Sequence, residues 1–150
     1  MGYFPDTSFL CSRYRNQIFT PRVIDWMDEN PAPLPVSSFL LLEFRQSCRL
    51  QVRLHRNDRT KGFGQAEATA MLRDLQADLA LRILETRPVD WHEVHHIAER
   101  LSATYTAAAG HRLADILHVA TAIHLGMAGF LTFDDRQRAL AEAEGLAVPF

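Results

Sequence analysis

No stretch of this sequence approaches the run of ~20 apolar residues that a membrane-spanning helix needs, and no charged-then-apolar leader precedes the first elements. The expectation is a soluble, cytoplasmic protein without membrane contact. Cysteine is scarce: Cys11 and Cys48 are the only two, far apart and without metal-type spacing, which favours two reduced thiols over a disulfide. Charge of one sign is also lacking. Sixteen Lys+Arg stand against 18 Asp+Glu, a net of −2, so any attraction to nucleic acid has to be local. Internal repeats and low-complexity segments are absent.

The 150 residues carry 47% hydrophobic and 23% charged side chains, an ordinary globular balance in a chain long enough to bury its own core. One domain over residues 1–150 is expected. Gly2–Pro5 reads as a short strand, followed at once by Asp6-Thr7-Ser8 and a helical stretch with Phe9, Leu10 and Tyr14. Thr20-Pro21 reads as an N-cap with proline in the first turn, opening a helix that Asn30-Pro31-Ala32-Pro33 stops. Leu34–Val36 is a second strand, and Ser37 or Ser38 caps a long helix from Phe39 to about His55.

After the polar turn Asn57–Gly64, residues Gln65–Leu81 place Ala68, Met71, Leu72, Leu75 and Leu79 on one helical stripe. That stripe is core or dimer packing, or, if its hairpin projects, a receiving surface for a partner. Arg82–Thr86 is the third strand, and Trp91–Ala108 a helix that Gly110 ends. From His111 to Val148 come an almost wholly apolar helix, a strand at Gly129–Phe133, the amphipathic helix Arg136–Glu144 and a terminal strand at Ala147–Val148. Strands alternating with helices through short connections give an α/β fold with a parallel sheet. Ligands gather at the carboxyl ends of such strands.

Four acids fall at telling places. Asp6 follows the first strand, Asp134 the fourth; Asp115 opens the apolar helix, and Glu43 interrupts the run Phe39-Leu40-Leu41-Leu42. Asp6 and Asp134 also suit helix N-caps, Asp134 with Gln137 completing a capping box, and Asp115 suits a helix N-terminus. Glu43 and Asp115 resist that explanation, because a carboxylate on an apolar helix is costly unless paired or metal-bound. Only Arg112 offers Asp115 a nearby cation. Carboxylates converging at strand ends repel unless a cation neutralises them, and oxygen-only ligands select Mg²⁺ or Mn²⁺ over zinc.

Asp6-Thr7-Ser8-Phe9-Leu10, Glu43 in an apolar helix, Asp115-Ile-Leu-His-Val-Ala-Thr-Ala-Ile-His-Leu-Gly and Phe130-Leu-Thr-Phe-Asp134, in that order, resemble the PIN domain, and within it the VapC-like toxins of bacterial toxin–antitoxin pairs. The resemblance implies a three-layer fold, a short parallel central sheet flanked by helices. It implies a magnesium-dependent endoribonuclease, usually dimeric and restrained by a small antitoxin. By position, Asp6, Glu43, Asp115 and Asp134 become the metal-binding and catalytic acids, holding Mg²⁺ or Mn²⁺, with Thr7 and Thr132 as supporting hydroxyls. Two features depart from the family pattern. Pro5 stands within a strand, tolerable next to an edge or strand end, and Asp135 directly follows Asp134.

Arg45, Arg49, Arg53 and Arg56 recur at intervals of four, four and three on the Glu43 helix. They form either a phosphate-tracking face for an RNA substrate or a solvated face. No aromatic ladder interleaves them, so base stacking is not indicated there. Arg112, just before the Asp115 helix, can likewise meet a phosphate. His92-Glu93-Val94-His95-His96 matches H-E-x-x-H, the zinc-peptidase pattern. At about 100° per residue, however, His92 and His96 oppose the apolar stripe and face solvent. His118 and His124 read as partly buried, hydrogen-bonded histidines. The remaining alternative is a PIN module that binds RNA or a protein without turnover.

Overall fold

The computed structural model describes residues 2–150. Its elements run β1 (Tyr3–Pro5), α1 (Thr7–Tyr14), α2 (Thr20–Glu29), β2 (Leu34–Val36), α3 (Ser38–Asn57), α4 (Gln65–Ala80) and β3 (Leu84–Thr86). They continue with α5 (Trp91–Leu101), a π-helical turn (Ser102–Thr106), α6 (Ala107–Ala109), α7 (Leu113–His124), β4 (Gly129–Leu131) and α8 (Asp135–Ala143). This is the α/β order the sequence predicts, short parallel strands flanked by helices, with the strands divided between two two-stranded sheets among the described residues.

β1 pairs in parallel with β4, Tyr3 opposite Gly129, and β2 with β3, Leu34 opposite Leu84. The terminal strand is reduced to one parallel bridge, Gly129 to Ala147. β1 and β2 lie side by side, and two prolines explain why no ladder joins them among the described residues. The Asp6 N–H points to Leu131 O on β4, and the Leu34 N–H to Ile83 O beside β3. Alternation then aims residues 5 and 35 across the β1–β2 junction, where proline has no N–H to give. Pro5 is the last residue of β1, the strand-end position in which the sequence tolerates it.

β2 and β4 are buried at every residue, as strands covered on both faces should be. Phe4, Phe9, Phe44 and Phe130 are fully buried, each stabilising by roughly 1.5–3 kcal/mol. Gly129 is fixed by close approach: a Cβ there would stand 2.2 Å from the Tyr3 ring and 2.5 Å from Ala147 O.

The predicted caps hold at Ser37, whose Oγ accepts from Leu40 N at 3.1 Å, and at Gly110, left-handed at φ 71°. Thr20 differs. Phe19 is the N-cap of α2 without a side-chain bond, while the Thr20 hydroxyl donates to Ser12 O and Arg15 O. It therefore ties α2 to the end of α1. The stripe on α4 is core: Ala68, Met71 and Leu75 are buried, with Leu72 and Leu79 packed against them. Because α4 also packs on α1 and β3, the α3–α4 hairpin does not stand free. Among the described residues no helix is long and apolar enough to cross a membrane.

Candidate active site

β1 and β4 deliver Asp6 and Thr132 side by side, since parallel pairing puts the ends of both strands at one edge. Asp6 is wholly buried and both its oxygens are engaged. Oδ1 accepts from Ser8 Oγ at 2.6 Å and Phe9 N at 3.0 Å; Oδ2 accepts from Thr132 Oγ1 at 2.5 Å and Gln137 Nε2 at 2.7 Å. Burial pushes the carboxyl above its usual range, and the bonds from Ser8, Thr132 and the Phe9 N–H draw it part of the way back. Asp6 is thus both the N-cap of α1 and the centre of a polar knot.

Glu43 heads a second group. Thr7 Oγ1 donates to its Oε2 at 2.8 Å, and Nε2 of His118, a side chain only 1% exposed, meets the same oxygen. Burial alone would raise the Glu43 carboxyl. The hydrogen bond and charge of His118, with the Thr7 bond and the more distant Arg112, outweigh it and hold the group below its usual range. Consecutive residues Asp6 and Thr7 link the two groups.

Asp115, in the first turn of α7, is buried and meets Arg112 Nε at 3.3 Å. Asp134 caps α8, its Oδ1 accepting from Arg136 N at 2.9 Å and Gln137 N at 3.0 Å, while its own N–H bonds Thr132 Oγ1. Asp135, 95% exposed, leaves Asp134 as the inward acid. The capping and the site readings of Asp6 and Asp134 therefore coexist in one geometry. The capping box is only half made, because Gln137 sends its amide to Asp6 rather than back to Asp134.

Thr7, Thr132 and Gln137 thus tie Asp6 to Glu43 and to Asp134, and Asp115 shares α7 with His118, but the four acids do not close into one cluster. Among the described residues no three Asp, Glu, His or Cys side chains stand close enough to hold a metal ion. The donor chemistry nevertheless suits a hard cation. Glu43 Oε1, Asp115 Oδ1 and Asp134 Oδ2 accept no hydrogen bond from the described residues, whereas Asp6 has no oxygen uncommitted.

Arg45, Arg49 and Arg53 are not brought to the acids. At about 100° per residue Arg45 lies about 160° around α3 from Glu43, and Arg49 and Arg53 are exposed on the outer face. Arg112 alone of the proposed RNA contacts touches a site acid. The peptidase pattern fares as the periodicity predicts: His92, Glu93 and His96 are exposed, and no third ligand joins them among the described residues. His118 and His124 are hydrogen-bonded, the latter accepting from Asp90 N at 3.3 Å.

Ser8, His118 and Gln137 are the side chains that sequence reasoning missed as parts of the site. Ser8 carries a signal, as the third residue of Asp-Thr-Ser, and His118 falls one helical turn after Asp115. Nothing local distinguishes Gln137 from a capping residue.

The PIN domain family matches residues 3–143, so the chain belongs to the PIN domain family. No curated protein shows detectable similarity. Among solved structures, VapC20 of Mycobacterium tuberculosis, a sarcin-ricin loop cleaving toxin, superposes with a TM-score of 0.65 at 17% identity, covering 97% of each chain. FitAcB from Neisseria gonorrhoeae gives 0.64 at 20% identity, over 97% of this chain and 95% of that one. PAE2754 from Pyrobaculum aerophilum gives 0.62 at 15% identity, over 99% and 89%. These likenesses establish a shared fold.

Proposed function

We propose that the chain is a metal-dependent endoribonuclease, a VapC-like toxin, in which Asp6, Glu43, Asp115 and Asp134 hold Mg²⁺ or Mn²⁺. The observation that carries this reading is the buried polar knot at the ends of β1 and β4: a family member with all four acids keeps two of them on dedicated hydroxyl donors, Thr132 on Asp6 and Thr7 on Glu43. A bound divalent cation supplies neutralisation of phosphodiester charge and an acidified water. The chain's own residues position that chemistry. Ser8, Thr132 and Gln137 fix the Asp6 carboxylate, His118 and Thr7 fix Glu43 in its ionised form, and Arg112 stands ready to exchange Asp115 for an RNA phosphate.

The proposal includes an antitoxin, a homodimer and a place in the cytoplasm. Exposed Leu42 and Leu113 border grooves among α3, α5 and α7 that supply apolar surface for protein contacts. The test is cleavage of a mixed RNA pool in EDTA, Mg²⁺, Mn²⁺ or Zn²⁺ beside an Asp6→Asn control. Cleavage in Mg²⁺ or Mn²⁺ only, lost in the variant at matched folding, is the expected result. Cleavage that persists in EDTA overturns it.

A second reading has a specific observation in its favour. With both Asp6 oxygens occupied and no three acids converged among the described residues, the chain also suits a PIN module that binds RNA or a protein without turnover. An intact RNA pool in every metal, with RNA still bound, would select this reading.

A further inference from the structure

The outward face of α3 carries two ridges side by side. Leu42, Gln46, Leu50 and Leu54 recur every four residues and form one; Arg45, Arg49 and Arg53 form the next. Side chains four apart stand in line on a helix, and such rows lie next to one another around it. Leu42 is 60% exposed, Leu50 49% and Leu54 44%. Arg49 and Arg53 are exposed and Arg45 half-buried, with exposed Arg56 extending the basic ridge. The row beyond the arginines, Phe44, Cys48 and Val52, is buried in the core.

Neither ridge is satisfied within the chain. Exposed leucines scattered singly are ordinary, but three aligned over roughly 18 Å of helix make a strip. None of the four arginines pairs with an acid among the described residues, and Arg56 bonds the Gln65 amide oxygen at 3.4 Å. The acids near the middle and end of the neighbouring α4, and Glu67 at its start, are taken: Glu67 by Arg15, Asp74 by Arg73 and Asp78 by Arg13. At Leu42 the apolar strip opens into a groove of about 360 Å³ among α3, α5 and α7, walled by Phe39, Trp91 and Leu117.

Charge and shape together choose the occupant. A phosphate backbone would use the arginines and leave the leucines in water. A lipid surface is flat, whereas this strip ends in a concave groove. A second copy related by a two-fold axis would bring the basic ridge against itself. We propose that α3 docks an acidic amphipathic helix of a protein partner. The partner's apolar ridge lies along Leu42, Leu50 and Leu54, and one large side chain enters the groove beside Trp91. A row of Asp or Glu next to that ridge meets Arg45, Arg49 and Arg53. Helices whose four-residue ridges interdigitate cross at about −50°, and the charge rows fix which way round the incoming helix lies. The inference rests on no part of the nuclease reading, since neither RNA nor a metal enters it.

A displayed library of helical peptides, with a fixed leucine ridge and randomised flanking positions, is selected on the full chain. The peptides recovered should carry Asp or Glu along one flank. They should bind about tenfold more weakly to the double variant Arg49→Glu, Arg53→Glu, and about tenfold more weakly to Leu50→Ser. All three positions are exposed, so the variants keep the fold, which thermal unfolding checks. Replacing the acids of a recovered peptide by lysine should restore its binding to the double variant, a rescue that misfolding cannot produce. Peptides without an acidic flank, binding unmoved by the substitutions, or no peptide recovered at all overturns the proposal. If the peptides fail while short RNA binds through Arg49 and Arg53, the face belongs to phosphate. If phosphatidylserine vesicles bind in their place, it belongs to lipid, and self-association that Leu50→Ser abolishes would give it to a second copy. Each of these three results likewise overturns the acidic helix.

Discussion

His118 and Glu43, 75 residues apart, meet through Nε2 and Oε2, the histidine buried and the glutamate half-buried. Because α7 is buried from Asp115 to Ala122, the histidine arrives there almost without water, and its one bonded nitrogen is spent on the carboxylate of α3. Removing it should leave Glu43 half-buried with only Thr7 as a partner. His118→Leu is expected to cost about 1–3 kcal/mol by denaturant titration, whereas His118→Gln, which keeps a donor near Nε2, should recover much of that. The sign with pH follows from the lowered Glu43 carboxyl. Its contribution is present above the unfolded value and is lost as pH falls through the folded one. His118→Leu should therefore move the acid limb of stability, and of activity, to higher pH. Equal loss in both variants, with no movement of the acid limb, would show a packing role alone.

Asp6 carries the opposite sign. Its folded carboxyl is raised above the usual 3.8, so the native state binds the proton more tightly. Stability is greatest below the unfolded value and declines as pH rises through the folded one. A cation at the site favours the ionised form and should counter that decline. Without metal, the thermal midpoint of wild type is expected to fall as pH rises from about 4, less steeply in Asp6→Asn. Saturating Mn²⁺ should then raise the wild-type midpoint by roughly 2–4 °C for each kcal/mol gained, and that of Asp6→Asn by less. Equal response in both proteins counts against Asp6 as a ligand.

The same substitution should leave the fold intact, for a reason visible at Gln137. Its Oε1 is buried without a partner among the described residues, while Nε2 serves Asp6. Rotating that amide by half a turn offers an acceptor to the side-chain amide introduced at position 6, and the Thr132 hydroxyl can follow. Asp6→Asn is expected to unfold within about 1 kcal/mol of wild type, and the double change Asp6→Asn, Gln137→Leu to lose more. Circular dichroism in urea measures both.

Cys11 and Cys48 are free thiols, Cys48 buried. Burial, with neighbouring Cys48, Asp6 and Glu43, pushes the Cys11 thiol up to about 12, and thiolate is the reactive form. Native protein at pH 8 should resist iodoacetamide at both positions and take up two equivalents only after denaturation, as mass spectrometry would count.

The exposed histidines predict a null. His92→Ala with His96→Ala should change neither RNA cleavage nor stability beyond about 0.5 kcal/mol. A loss of activity specific to Zn²⁺ would revive the peptidase pattern.

What is legible in the sequence depends on how local the cause is. Ser37, Gly110 and the prolines at 31 and 33 act within a few residues of themselves, and the elements they bound lie where they predict. The π-helical turn at Ser102–Thr106 has no such local signal, and α5 continues through it as the periodicity expects. Thr20 departs from its expected cap because its hydroxyl answers carbonyls of α1, a tertiary demand that outranks the local one. The acids are legible as residue types at strand ends and on apolar helices. Their partners are less so, since Gln137 and His118 act across 131 and 75 residues. The arginine stripe is legible as one face of α3, and only the helix rotation of about 100° per residue shows that Glu43 stands on a different one.

The pairing of β1 with β4 also sets a clock. Asp6 acquires Thr132 and Gln137 only when the far end of the chain has been made, since 126 and 131 residues separate them. At about 5–20 residues per second of synthesis, those last residues follow Asp6 by roughly 7–26 s. Until they arrive, the newborn protein has a first acid without its fastenings and no completed edge. Whatever chemistry Asp6 takes part in is thereby confined to a chain made at least as far as Gln137.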